Sequence, residues 1–142
     1  MSQILASGGR RPALRRRVPA RIAVLAACLL ARLPPRRIRL VLRLLRRGAA
    51  PATHAQALAA RQDITATSTL CAGTYCLQRS LATTLLCRMR GNWPTWCTGV
   101  RTPPFTAHAW VEADGRPVGE PADITAYRTI ISVRPPRRRR AC

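Results

Sequence analysis

The chain has 142 residues, 47% of them hydrophobic, which suits one domain with a real core. Its net charge of +20 comes from 25 basic residues, every one arginine, against five acids, so it should attract polyanions, acidic peptides or anionic lipid. An aromatic content of 4% is too low for a base-stacking surface and no known nucleic-acid module is visible, so nucleic acid is not the expected partner.

Residues 1–17 carry Gly8-Gly9 and an arginine cluster without hydrophobic period, and are expected to be mobile. Arg10 to Arg17 followed by Ile22 to Ala31 mimics the charged and apolar parts of a signal peptide. However, no small-residue cleavage site follows, and Arg32 ends an apolar run too short to span a bilayer. A first helix is predicted over Pro19 to Leu33, stopped by Pro34-Pro35. A second covers Arg36 to Arg47, with Ile38, Val41, Leu42 and Leu45 on one face and arginines on the other. That basic side is read as solvated, with docking of a partner or peripheral association with a membrane as the alternative. Gly48 and Pro51 precede a third helix over roughly Thr53 to Thr69, where His54 is a surface or capping residue.

The fourth helix opens at Cys76. Leu77, Leu81 and Leu85 recur every four residues, flanked by Ala82, Leu86 and Met89, while Gln78, Arg79, Arg88 and Arg90 face elsewhere. The pattern predicts burial on one side, and Gly91 supplies the C-terminal cap. Unpaired N–H groups and the helix dipole favour negative charge at its start, so Cys76 should be the most reactive of the six cysteines. No secretory context supports disulfides, and reduced thiols in a cytoplasm are expected. No C-x-x-C pair is present, so no metal site is assigned. Cys71, Cys87 and Cys97 read as small buried hydrophobes.

After Asn92-Trp93-Pro94, Thr95 to Arg101 alternates as a strand and Thr102-Pro103-Pro104 turns the chain. His108 to Ala113 and Arg116 to Glu120 form a hairpin around Asp114-Gly115. A two-residue loop would pair His108 with Pro121 and turn Glu120 to the wrong face. A three-residue loop pairs Glu112 with Arg116, Trp110 with Val118 and His108 with Glu120, and that register is expected. Glu112 shares the face of His108 but lies roughly 13 Å along the strand. Asp114 is farther, and Asp123 is the reserve acid, needing a bend after Pro121. Thiol, imidazole and carboxylate in this order supply a nucleophile, a base and an orienting group: Cys76, His108 and Glu120. The backbone N–H of Cys76 and the Gln78 side chain are candidates to bind the substrate oxyanion. Trp110 is either a core residue or a wall of the substrate groove.

The C-L-Q-R-S helix start, the T-G-V-R strand and the A-H-A-W-V-E-A-D-G-R segment resemble the lasso-peptide leader peptidases of the transglutaminase-like superfamily. The match is specific over Ser68 to Ile131. Many members of that family carry aspartate where this chain holds Glu120. The resemblance implies an α+β fold, with a helical N-terminal half packed on a small antiparallel sheet around a transglutaminase-like, papain-like cysteine protease core. The expected organisation is one domain over 1–142: a mobile terminus 1–17, a basic helical region 18–70, a catalytic core 71–134 and an arginine-rich tail 135–142. It further implies cleavage of a ribosomally made precursor peptide between leader and core, with a separate leader-recognition protein and a macrolactam-forming cyclase as partners. Such chemistry requires no cofactor. An acyltransferase or transglutaminase on the same three residues is the main alternative, and a basic nucleic-acid-binding protein the weaker one.

Overall fold

The computed structural model describes residues 14–69 and 75–137. Cys71, Cys142 and Arg138 to Arg140 therefore lie outside the described residues, as do the first thirteen positions. Helix α1 (Leu14–Leu30) starts before Pro19 and contains it, so the proline is not the helix start expected from the sequence. It is the sixth residue of the helix, so it removes one N–H from the hydrogen-bond ladder without ending the helix. Ala20, Ala23, Ala27 and Leu30 recur at helical spacing and are buried. Those small residues let α1 lie close against the fourth helix.

Helix α2 (Pro35–Leu45) begins with Pro35 in its first turn, and buries Ile38 and Leu42. Leu45, expected on the same face, is exposed, as are Leu40 and Leu44. Helix α3 (His54–Thr67) is fixed by a capping box: Thr53 Oγ1 accepts from Gln56 N at 3.1 Å, and Gln56 Oε1 accepts from Thr53 N at 2.9 Å. Its buried side is Ala57, Ala60 and Ile64.

Helix α4 (Cys76–Met89) is the centre of the molecule and packs on α1, α3 and the sheet. Burial is not confined to one side as predicted, because Ser80, Thr83 and Thr84 are buried together with Leu81, Ala82, Leu86 and Cys87. These hydroxyls satisfy themselves on the helix. Ser80 donates to Leu77 O (2.9 Å), Thr83 to Arg79 O (2.8 Å) and Thr84 to Ser80 O (2.9 Å), so polar positions tolerate the interior. Gly91 follows the helix with φ +89°, as a C-terminal cap requires.

Strands β1 (Ala50–Pro51) and β2 (Asn92–Trp93) make a short parallel pair that ties the α2–α3 connection to the end of α4. The main sheet contains β3 (Thr95–Arg101), β4 (Thr106–Ala113), β5 (Arg116–Pro117) and β6 (Arg128–Val133), in the order β5-β4-β3-β6, with every pair antiparallel. A short 3-10 helix (Ala122–Ala126) links β5 to β6. Trp96, Val111, Ala113 and Val133 join the helices in one large core, which also holds Trp93. Cys97, Trp110 and Ile124 form a smaller cluster, with Tyr127 against it. The protein is thus α+β, a helical N-terminal half packed on a small antiparallel sheet. Among the described residues, no helix is long and apolar enough to cross a membrane.

Candidate active site

Cys76 is a half-buried free thiol at the first residue of α4. The preceding residue, Tyr75, has φ −83° and ψ 70° and offers no side-chain cap to the N–H groups of the first turn, where the helix dipole favours an anion. Cys76 and His108 border one cavity of about 300 Å³. Among the contacts of the described residues, none joins the sulfur directly to the imidazole.

The route by which Glu120 meets His108 differs from the expected one. Ala113 pairs with Arg116 and Glu112 with Pro117, so the hairpin has the two-residue loop Asp114-Gly115 rather than three residues. Both loop residues have positive φ (53° and 72°), the geometry that lets a two-residue turn follow the twist of its strands. Val118 N donates to Val111 O (3.0 Å), which continues this register one residue past β5. Undisturbed, it would turn Glu120 away from His108. Gly119 breaks the strand at φ +65° and redirects the chain. His108 Nε2 then donates to Glu120 Oε2 at 2.9 Å, with the carboxylate side chain only 4% exposed.

The other acids are engaged elsewhere. Glu112 does not face Arg116; it accepts from Trp110 Nε1 at 3.0 Å. Asp114 accepts from the backbone N of His54 (2.8 Å), while the His54 ring lies 3.2 Å from Pro117 O. His54 therefore fastens the start of α3 to the hairpin. Asp123 pairs with Arg101 at 3.3 Å, and its side chain is 57% exposed. Arg101 in turn lies over the Tyr127 ring, 5.0 Å from its centre.

Aromatic rings flank the imidazole. Trp110 stacks on His108, with centroids 5.9 Å apart and planes 13° from parallel, and Tyr127 tilts against the ring at 5.3 Å. Trp110 is buried, which favours its reading as a core residue. Gln78 is half-buried in the first turn of α4 and is not part of the cavity wall. Cys87 and Cys97 are poor nucleophiles by contrast. Burial pushes Cys87 and Cys97 up to about 12, with Glu112 adding to the effect at Cys97.

A family model described as the transglutaminase-like superfamily matches residues 20–132. The chain belongs to the transglutaminase-like superfamily. That superfamily includes cysteine peptidases and acyltransferases, and its members are typically cysteine-dependent enzymes. No curated protein and no solved structure matches the chain.

For a transglutaminase-like protein the orientation of His108 matters more than its mere presence. A proton held on Nε2 by the carboxylate leaves Nδ1 as the basic nitrogen, so one ring can be fixed on one side and exchange a proton on the other. Tyr127 and Arg61 escaped the sequence reading. Tyr127 follows a segment with no strand or helix period. Arg61 is one arginine among 25, and nothing local marks it as the one beside Glu120. Burial, then the nearby Arg79, lowers its pKa from the ordinary arginine value, and the Glu120 charge opposes that shift. Among the described residues, no group of three potential ligands could hold a metal ion.

Proposed function

We propose that this chain is a cysteine peptidase that removes the leader from a ribosomally made lasso-peptide precursor. The observation that supports it best is the His108–Glu120 hydrogen bond beside the cavity that Cys76 also borders. Nδ1 of His108 takes the thiol proton, and the Cys76 sulfur bonds to the scissile carbonyl carbon. The imidazolium then returns that proton to the leaving amine as the C–N bond breaks. Water, losing a proton to Nδ1, attacks the thioester, and the thiol leaves with the proton. Glu120 holds the tautomer and balances the imidazolium. The N–H of Cys76 donates to the carbonyl oxygen as it becomes negative.

The resemblance also supports the partners: a separate leader-recognition protein, and a macrolactam-forming cyclase that receives the freed core peptide, all in the cytoplasm. The exposed arginines of α2 are the proposed docking surface for the acidic part of a partner or leader. The test is single-turnover cleavage of precursor by the chain with its recognition protein. Cys76→Ala should abolish cleavage and keep the fold; cleavage at the wild-type rate by that variant would end the proposal. Transfer of the acyl group to an added amine in preference to water would assign an acyltransferase instead.

A further inference from the structure

The cavity at Cys76 is walled by five different elements. Ile38 of α2, Leu77 of α4, Val100 of β3, Ala109 of β4, and Ile130 and Ile131 of β6 supply much of its apolar wall. The polar side chains there are the thiol, the imidazole and the Thr98 hydroxyl. This is a chain with 25 arginines, yet among the described residues no charged side chain lines the space. A carboxylate or ammonium placed in it would lose its water and find no counter-charge, whereas an apolar group would lose only unfavourable hydration. At about 300 Å³ the cavity is at the small end of ligand pockets, with room for one large side chain rather than a cofactor.

We propose that this cavity is the specificity pocket of the Cys76 site, seating a large apolar side chain (leucine, methionine or phenylalanine) of the substrate residue beside the attacked carbonyl. It rests on the reading of Cys76 and His108 as a reactive pair and adds the substrate class. The chemistry of the wall selects by removal from water, so discrimination is strong against charge and moderate against smaller apolar side chains. Ile130 is 60% exposed and stands at the rim, so it can be changed without opening the core.

The test uses the full chain and a series of N-acetyl-aminoacyl chloromethyl ketones carrying glycine, alanine, leucine, phenylalanine, aspartate or arginine side chains. In each reaction the Cys76 sulfur displaces chloride, the thiol proton passes to His108, and an S–C bond replaces the C–Cl bond. Rates at each cysteine are read by mass spectrometry after digestion, and each is divided by the rate of the same reagent with free cysteine. Leucine and phenylalanine reagents should label Cys76 about 10- to 100-fold faster than the glycine reagent. Aspartate should be slowest, although a chain of charge +20 attracts it. Ile130→Glu should reduce the leucine preference and speed the arginine reagent. Rates at Cys76 that are fast but independent of the side chain, or fastest for aspartate, would overturn the pocket while sparing the reactive pair. A Cys76 no faster than Cys28 with every reagent would overturn the reactive pair and the pocket with it.

Discussion

The side chain of Arg61 fills the space beside Gly119 where a β-carbon would stand. A carbon built there would lie 2.8 Å from Cδ, 2.9 Å from Nε and 3.0 Å from Cζ. Gly119 is also the residue whose φ of +65° turns Glu120 toward His108. Conformation and contact thus both demand glycine. Gly119→Ala should lose about 1–3 kcal/mol of stability, from the left-handed backbone and the displaced guanidinium. It should slow cleavage further by moving the carboxylate. Urea unfolding and single-turnover cleavage would check it, and a variant with wild-type stability and rate would show that the kink does not position Glu120.

Glu120 and Asp123 are three residues apart but stand in opposite situations. One is nearly buried against the imidazole and the other is exposed beside Arg101. Glu120→Gln keeps size and hydrogen bonding and removes the charge that supports the imidazolium. It should cost about 10²- to 10⁴-fold in cleavage rate, by analogy with the acid of a serine-protease triad. Glu120→Asp should retain substantial activity, and Asp123→Asn should do little, since an exposed pair such as Arg101–Asp123 contributes little. A severe loss in Asp123→Asn with a mild one in Glu120→Gln would reverse the assignment.

Helices α1, α2 and α4 were legible because each combines a 3.6-residue apolar pattern with a recognisable stop: Pro34-Pro35 after α1, Gly48 after α2, Gly91 after α4. Strand β3 was predicted over the same residues that the sheet contains, although its burial does not alternate strictly, since Trp96 and Cys97 are buried in succession. The hairpin shows where pattern reasoning stops. Asp114-Gly115 locates the turn, but on an unbroken strand only a three-residue loop brings Glu120 opposite His108. The chain reaches the same contact with the shorter loop and a left-handed glycine, a conformation that no hydrophobic pattern records. Strand β6 lay outside the predicted elements because Arg128, Thr129 and Ile130 are all exposed, so its first half lacks alternation. The two-residue pair β1–β2 is too short to have a period.

Cys87 and Cys97 should make the fold sensitive to alkali. Both thiols move from 9.0 up to about 12 on burial. A raised folded value means that the stabilising contribution is complete below pH 9. It is lost as pH rises from 9 toward 12, because the unfolded thiol ionises there and the folded one does not. Each thiol should contribute a slope of about 1.4 kcal/mol per pH unit in that window. Cys87→Ala should therefore lose stability with pH less steeply than wild type between pH 9 and 11, measured by urea unfolding. Parallel curves would mean that the thiol is not protected in the fold. The same burial predicts that iodoacetamide at neutral pH labels Cys76 well before either of them.

Helix α2 sets its charge and its packing on different sides. Ile38 and Leu42 are buried, whereas Arg36, Arg37, Arg39 and Arg43 are exposed. Arg36, Arg39 and Arg43 line a shallow groove with Pro35, Leu40 and Ile131, and Pro35 and Ile131 also border the cavity at Cys76. A peptide held by this groove would therefore lead toward the thiol. Reversing Arg39 and Arg43 to glutamate should leave the fold intact, since neither packs in the core. Binding of the precursor or recognition protein should fall, and the difference from wild type should shrink as salt rises, because exposed charges are screened within about 10 Å at 0.1 M. Fluorescence anisotropy of labelled precursor at low and high salt would measure it. Equal binding by the double variant at both salt concentrations would remove α2 as the docking surface and leave its arginines to solvent or an anionic membrane.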